Sequence, residues 1–124
     1  MATRILIDGQ GFLLEAELSE APAAQQVAKA LPLGTRMSRW GDEYYGSVDL
    51  DISEDATAKE VMGVGEIAYW PPGKAICIFF GRTPASTDDR PRAAAPVIPV
   101  GRVTSGLPGL KSLGKSVQMS FRRA

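Results

Sequence analysis

The sequence predicts a mainly-β domain, folded as a barrel or a sandwich, on three observations. About eight short segments alternate apolar with polar residues at regular spacing and are separated by Gly- and Pro-bearing turns. Only one stretch, Glu20–Leu31, carries the three-to-four spacing of a helix. The run Ala75–Phe80, Ala-Ile-Cys-Ile-Phe-Phe, has no polar face, so a strand there must be covered on both sides, as a central barrel strand is.

Each element follows from its residues. Residues 4–8 read as a strand that closes in a turn at Gly9-Gln10-Gly11. The next run sets Phe12, Leu14, Ala16 and Leu18 against Leu13, Glu15 and Glu17, a half-buried strand of period two forming a hairpin with the first. Ser19 is a candidate cap for a helix from Glu20 to Leu31. Its Ala24, Val27, Ala28 and Leu31 share one face, and Pro22 is tolerated in its first turn. Pro32 ends it. Leu33–Trp40 is extended, Gly41-Asp42 turns, and from Tyr44 a strand continues through Val48, Leu50 and Ile52, with Asp49, Asp51 and Ser53 on its wet face. Residues 54–65 read as a polar loop or short helical turn. Glu66–Trp70 and Ala75–Phe80 are strands joined by Pro71-Pro72-Gly73. Residues 82–96, rich in Pro, Ala, Arg and Asp, are expected to form a long surface loop and a candidate lid. Ile98–Thr104 is a strand, Leu107–Leu113 a short helical turn, and Val117, Met119 and Phe121 the inward face of the last strand.

The bulk properties bound the function. A chain of 124 residues matches one domain, 1–124, and buries roughly two-thirds of its unfolded surface, enough to fold without metal or disulfide. Fourteen basic residues balance fourteen acidic ones and are scattered, which argues against nucleic-acid binding. The absence of histidine removes Ser-His-Asp and Cys-His catalysis and every histidine-ligated metal site. A single cysteine, Cys77, permits no internal disulfide and predicts a cytoplasmic protein. No apolar run approaches the ~18 residues of a membrane span, and the N-terminus opens on strand alternation rather than a secretory signal.

Four motifs bear on chemistry. Gly109–Ser116 fits the phosphate-loop formula G-x-x-x-x-G-K-[ST], but that loop needs a helix after it, and the alternation of 117–121 predicts a strand. Asp49, Asp51, Ser53 and Glu60 match a calcium-loop spacing, but Glu54 stands where the sharp turn requires glycine. No metal site and no cofactor are expected. Cys77, between two isoleucines, reads as a small buried hydrophobe rather than a thiolate. The segment Arg39–Tyr45 gathers charge and rings. Either Trp40, Tyr45 and Glu43 line a cleft with Arg39, or the rings fill a barrel end while Arg39 and Glu43 pair on the surface. Trp70, before two prolines, has the same two readings.

The segments Trp40–Tyr45, Gly65–Gly81, Thr83-Pro-Ala-Ser86, Val100-Gly-Arg-Val103, Gly106-Leu and Leu110-Lys together resemble the small prokaryotic cyclophilin-like proteins of unassigned function. The resemblance runs over nearly the whole chain and is most specific from Tyr69-Trp-Pro-Pro-Gly to Phe79-Phe-Gly. It implies a closed or nearly closed eight-stranded cyclophilin-like barrel with one α-helix and a short helical turn. It implies no established catalysis. The prolyl isomerases of that fold carry Phe-His-Arg and Gly-Ser-Gln-Phe-Phe motifs, of which this sequence matches only the Phe-Phe end, at Phe79-Phe80. The expected role is binding of a small molecule or short peptide, with Arg39, Trp40, Glu43, Tyr45, Trp70, Phe80 and Thr83 as candidate cleft residues. Weak prolyl isomerisation and homo-oligomeric assembly are the alternatives; the chain is expected to be a monomer or homodimer that meets neither nucleic acid nor membrane.

Overall fold

The computed structural model describes residues 2–124, and the chain runs β1 (Thr3–Gly9), β2 (Phe12–Leu18), α1 (Pro22–Ala30), β3 (Leu33–Arg39), β4 (Glu43–Ser47), β5 (Lys59–Val61), β6 (Glu66–Trp70), β7 (Ala75–Phe79), β8 (Arg92–Ser105), a 3₁₀ helix (Leu107–Ser112) and β9 (Ser116–Arg123). Eight strands pair antiparallel in the order β2-β1-β9-β3-β4-β7-β6-β8, and β8 returns to β2, so the sheet closes on itself as a barrel. The ninth, β5, pairs only with the first part of β8.

Period-two alternation sends one face of each strand inward. Ile5, Ile7, Leu14, Leu18, Met37, Tyr44, Ile76, Ile78, Met119 and Phe121 form the interior, and Ala23, Ala24, Val27 and Ala28 of α1 join it. A second, smaller core lies on the outer face of β6 and β7. There Ala68, Cys77 and Phe79 meet Met62, Ala93 and Val97, with Trp70 against them. This is why Ala75–Phe79 shows no polar face: every residue of β7 is buried, with Cys77 and Phe79 packed among Met62 and the Ala93 and Val97 of β8, and the even positions inside the barrel.

The sequence expectations hold for most elements and need correction at five places. Helix α1 begins at Pro22, not Glu20, because proline lacks the N–H that an N1 position leaves unused; Ala21 precedes it with no side-chain cap, and Ser19 Oγ only accepts from Ala21 N at 3.3 Å. It ends at Ala30, since Pro32 holds Leu31 extended. Strand β4 stops at Ser47. Val48 and Ile52 are buried as their alternation demands, but this backbone lies outside the ladder: Ile52 N donates to the Tyr69 hydroxyl, which itself donates to Leu50 O. Residues 54–65 contain β5, too short and polar to read as a strand. The expected 82–96 loop ends at Pro91, because Arg92–Val97 pairs with β5 despite three alanines and Pro96. The register with β5 shifts there, which accommodates a proline in a strand. The segment after Gly114-Lys115 is the expected strand, β9, and the expected helical turn before it is a six-residue 3₁₀ helix, so Gly109–Ser116 lacks the strand-loop-helix frame of a phosphate loop.

Among the described residues no helix is long and apolar enough to cross a membrane. No cluster of three Cys, Asp or Glu side chains is placed to hold a metal ion there either. Of the calcium-loop residues, Glu60 pairs with Arg92 at 3.2 Å, on β8.

Candidate functional site

The site starts from one tight turn. Trp40 N donates to Glu43 O at 2.8 Å and Glu43 N to Trp40 O at 3.2 Å, so Gly41-Asp42 is a two-residue hairpin loop between β3 and β4. Gly41 has φ +61°, which suits the first position of such a turn. A Cβ there would lie 2.8 Å from Pro84 Cδ and 2.9 Å from Thr83 Cα, so the turn is also pressed against the next loop. The turn sets Trp40 and Glu43 beside each other at the barrel wall.

On β4 the side chains then alternate. Tyr44 points inward, whereas Glu43 and Tyr45 point to the outer face, where the register places Tyr45 opposite Cys77 and Glu43 opposite Phe79 on β7. Trp70 ends β6 on the same face. The first part of β8 crosses in front. The result is a cleft of about 260 Å³ lined by Trp40, Glu43, Tyr45, Trp70, Cys77, Ala93, Ala94, Ala95 and Val97. Its walls are three aromatic rings and small aliphatic groups, and its lining contains no lysine or arginine.

Two neighbouring acids divide sharply. Asp42 is neutralised: Arg39 Nη2 donates to its Oδ1 at 2.9 Å and Lys111 Nζ lies 3.7 Å from its Oδ2. Glu43 is 6% exposed and forms no ion pair among the described residues; its hydrogen-bonding neighbour is the Cys77 thiol. Burial pushes the Glu43 carboxyl up to about 7, and the contact with Cys77 offsets only part of that. Cys77, buried and beside an acid, is itself pushed well above the usual thiol range, first by desolvation and then by the Glu43 charge, so it stays a protonated thiol. One polar group here has no partner: the buried Trp70 Nε1–H has no acceptor among the described residues.

Of the seven residues singled out from sequence, the structure brings Trp40, Glu43, Tyr45 and Trp70 together and places Arg39, Phe80 and Thr83 elsewhere. Arg39 does not pair with Glu43. Its guanidinium lies over the Tyr44 and Phe80 rings, at 5.8 and 5.1 Å from their centroids, and Nη1 donates to Lys111 O and Leu113 O, which fastens the 3₁₀ segment to the barrel. Phe80 follows the inward parity of Ile76 and Ile78 and stacks on Tyr44 with centroids 5.5 Å apart. Thr83 is buried and holds the 82–91 loop: its hydroxyl donates to Arg92 O and accepts from Ala85 N, while its own N–H donates to Ser86 Oγ. The cleft residues that sequence reasoning missed are Cys77, Ala93, Ala94, Ala95 and Val97. Alanines carry no chemical signal, and the outward parity of Cys77 was hidden by a run that is apolar on both faces.

A closed antiparallel barrel with one helix, carrying an aromatic cleft on its outer wall, is the class of domain that fold and site define. Within that class the chain belongs to the Cyclophilin-like family, whose model matches residues 1–122. It is similar to the solution structure of the hypothetical protein AF2241 from Archaeoglobus fulgidus, at 37% identity and a TM-score of 0.82, over 99% of this chain and 95% of that one. No curated protein matches the sequence. The chain is thus a member of a small prokaryotic cyclophilin-like family of unassigned function.

Proposed function

We propose that this protein is a binding barrel whose outer-wall cleft takes a small molecule, or the single side chain of a short peptide, without chemical turnover. The observation that carries this reading is Glu43: a carboxyl group almost wholly removed from solvent, with no cation in the cleft lining to balance it, set in an aromatic cleft. Burying such a group without a balancing cation costs stability, and an acid retained in this way at a concave apolar site supports a role in holding a ligand. At about 260 Å³ the cleft falls just below the usual range for ligand sites, about 300–1,000 Å³, so its occupant is compact. Prolyl isomerisation is less well supported, because the cleft lining offers no arginine to polarise a proline amide. Assembly is less well supported too, because the large exposed apolar residues, Leu13, Tyr45 and Val64, stand on separate elements.

Both tryptophans of the chain line this cleft, so intrinsic fluorescence reports its occupancy directly. A fragment collection screened by thermal shift should yield compact stabilisers that also change tryptophan emission. The Trp40→Ala/Glu43→Ala double variant should stay folded by circular dichroism and lose both responses. Stabilisers that act equally on the double variant would place binding elsewhere and end this reading.

A further inference from the structure

We infer that the occupant of this cleft is a small organic cation, an N-alkylated ammonium that stacks on Trp40, Tyr45 and Trp70 and pairs with Glu43. This rests on the binding role proposed above and adds the charge of the ligand. Four features of the cleft converge on it. Three aromatic side chains line it, and aromatic faces attract cations. Glu43 is the only acidic residue in the lining, and neither lysine nor arginine lines the cleft to compete for it. An anionic ligand such as a phosphate or a carboxylic acid would meet that carboxylate with no basic group to hold it. The remaining walls, Ala93, Ala94, Ala95 and Val97, offer methyl groups that suit N-alkyl substituents rather than a hydrated polar head.

The ionisation of Glu43 makes binding sensitive to pH. Its carboxyl meets the Cys77 thiol from β7, and the other groups that line the cleft with it are Tyr45 on its own strand, Trp40 from the turn, Trp70 from β6 and an uncharged β8 wall. Glu43 is therefore the group whose charge changes near neutrality, and a cation must bind its ionised form.

The test compares choline with its neutral isostere, 3,3-dimethylbutan-1-ol, by tryptophan fluorescence titration and calorimetry of the whole chain near pH 8. Choline is expected to bind about tenfold tighter or more, as a desolvated cation–π contact and an ion pair together allow. In Glu43→Gln the preference for choline should shrink to the roughly two- to fivefold that the rings alone confer, and in the wild type choline affinity should fall by roughly tenfold or more near pH 5.5 as the carboxyl protonates. Equal or tighter binding of the neutral isostere would overturn the cation and leave a neutral-ligand cleft standing. A choline affinity unmoved by Glu43→Gln would overturn it equally. Failure of both probes to bind, up to about 100 mM, would overturn the cation as well; whether the cleft binds anything is then decided separately by the fragment screen.

Discussion

Replacing Glu43 by glutamine should make the protein more stable at alkaline pH and leave it nearly unchanged at acid pH. The unfolded chain releases the Glu43 proton near 4.5, whereas burial holds it in the folded chain up to about 7. Between those values the folded state binds a proton that the unfolded state has lost, so this residue's contribution to stability falls as pH rises. Above about 7 the folded state carries a buried charge, and the accumulated cost is about 3 kcal/mol at roughly 1.4 kcal/mol per pH unit of displacement. Glutamine has the same shape and no charge to bury, so the variant escapes that cost. For a chain of this size the gain corresponds to roughly 10 °C in Tm. Melts of both proteins by circular dichroism near pH 8 and pH 4.5 should show that gain at the first and only a few tenths of a kcal/mol at the second. Because each comparison is made at one pH, titration of other groups cancels. An equal difference at both pH values, or no gain near pH 8, would mean that the carboxyl is solvated and carries no burial cost. The expected trade is specific: the residue that costs stability is the one proposed to hold the ligand.

Three further outcomes follow from the geometry. Gly41→Ala forces a side chain into a left-handed conformation and its Cβ against Pro84 and Thr83, so chemical denaturation should report a loss of about 2 kcal/mol or more; a loss near zero would mean the turn can move freely. Thr83→Val keeps the shape but strips the hydroxyl that serves Arg92 O and Ala85 N, and should cost about 1–3 kcal/mol while leaving cleft affinity within about twofold, as titration of any cleft ligand will check. ATP with magnesium should not raise the Tm, and Lys115→Ala should change nothing in that assay, because a strand and not a helix follows Ser116.

Much of the barrel was legible because its strands obey a strict period of two against a single interior. The β1–β2 hairpin, helix α1 and the Pro71-Pro72-Gly73 turn were visible from alternation, helical spacing and turn chemistry. The start of β8 was hidden because Arg92-Ala-Ala-Ala-Pro has the composition of a loop; only its pairing with β5, a contact distant in sequence, makes it a strand. The same blindness affected the site. Trp40, Glu43, Tyr45 and Trp70 stand out as aromatic and acidic residues near turns, and the cleft unites them. Phe80 was indistinguishable from a cleft residue because a run apolar on both faces does not disclose which parity faces inward. Arg39 chose Asp42 over Glu43 because its side chain reaches the turn and the carbonyls of Lys111 and Leu113, a segment that the fold brings in from the far end of the chain.

Carbon-13 NMR of the carboxyl groups in glutamate-labelled protein, with Glu43 assigned by its loss in Glu43→Gln, measures the buried acid itself. A Glu43 titration midpoint near 7 in the free protein, moving down when choline is added, is the result expected. A midpoint near 4.5, unmoved by the cation, would reveal an ordinary solvated carboxylate and speak against both the desolvated cleft and the ligand assigned to it.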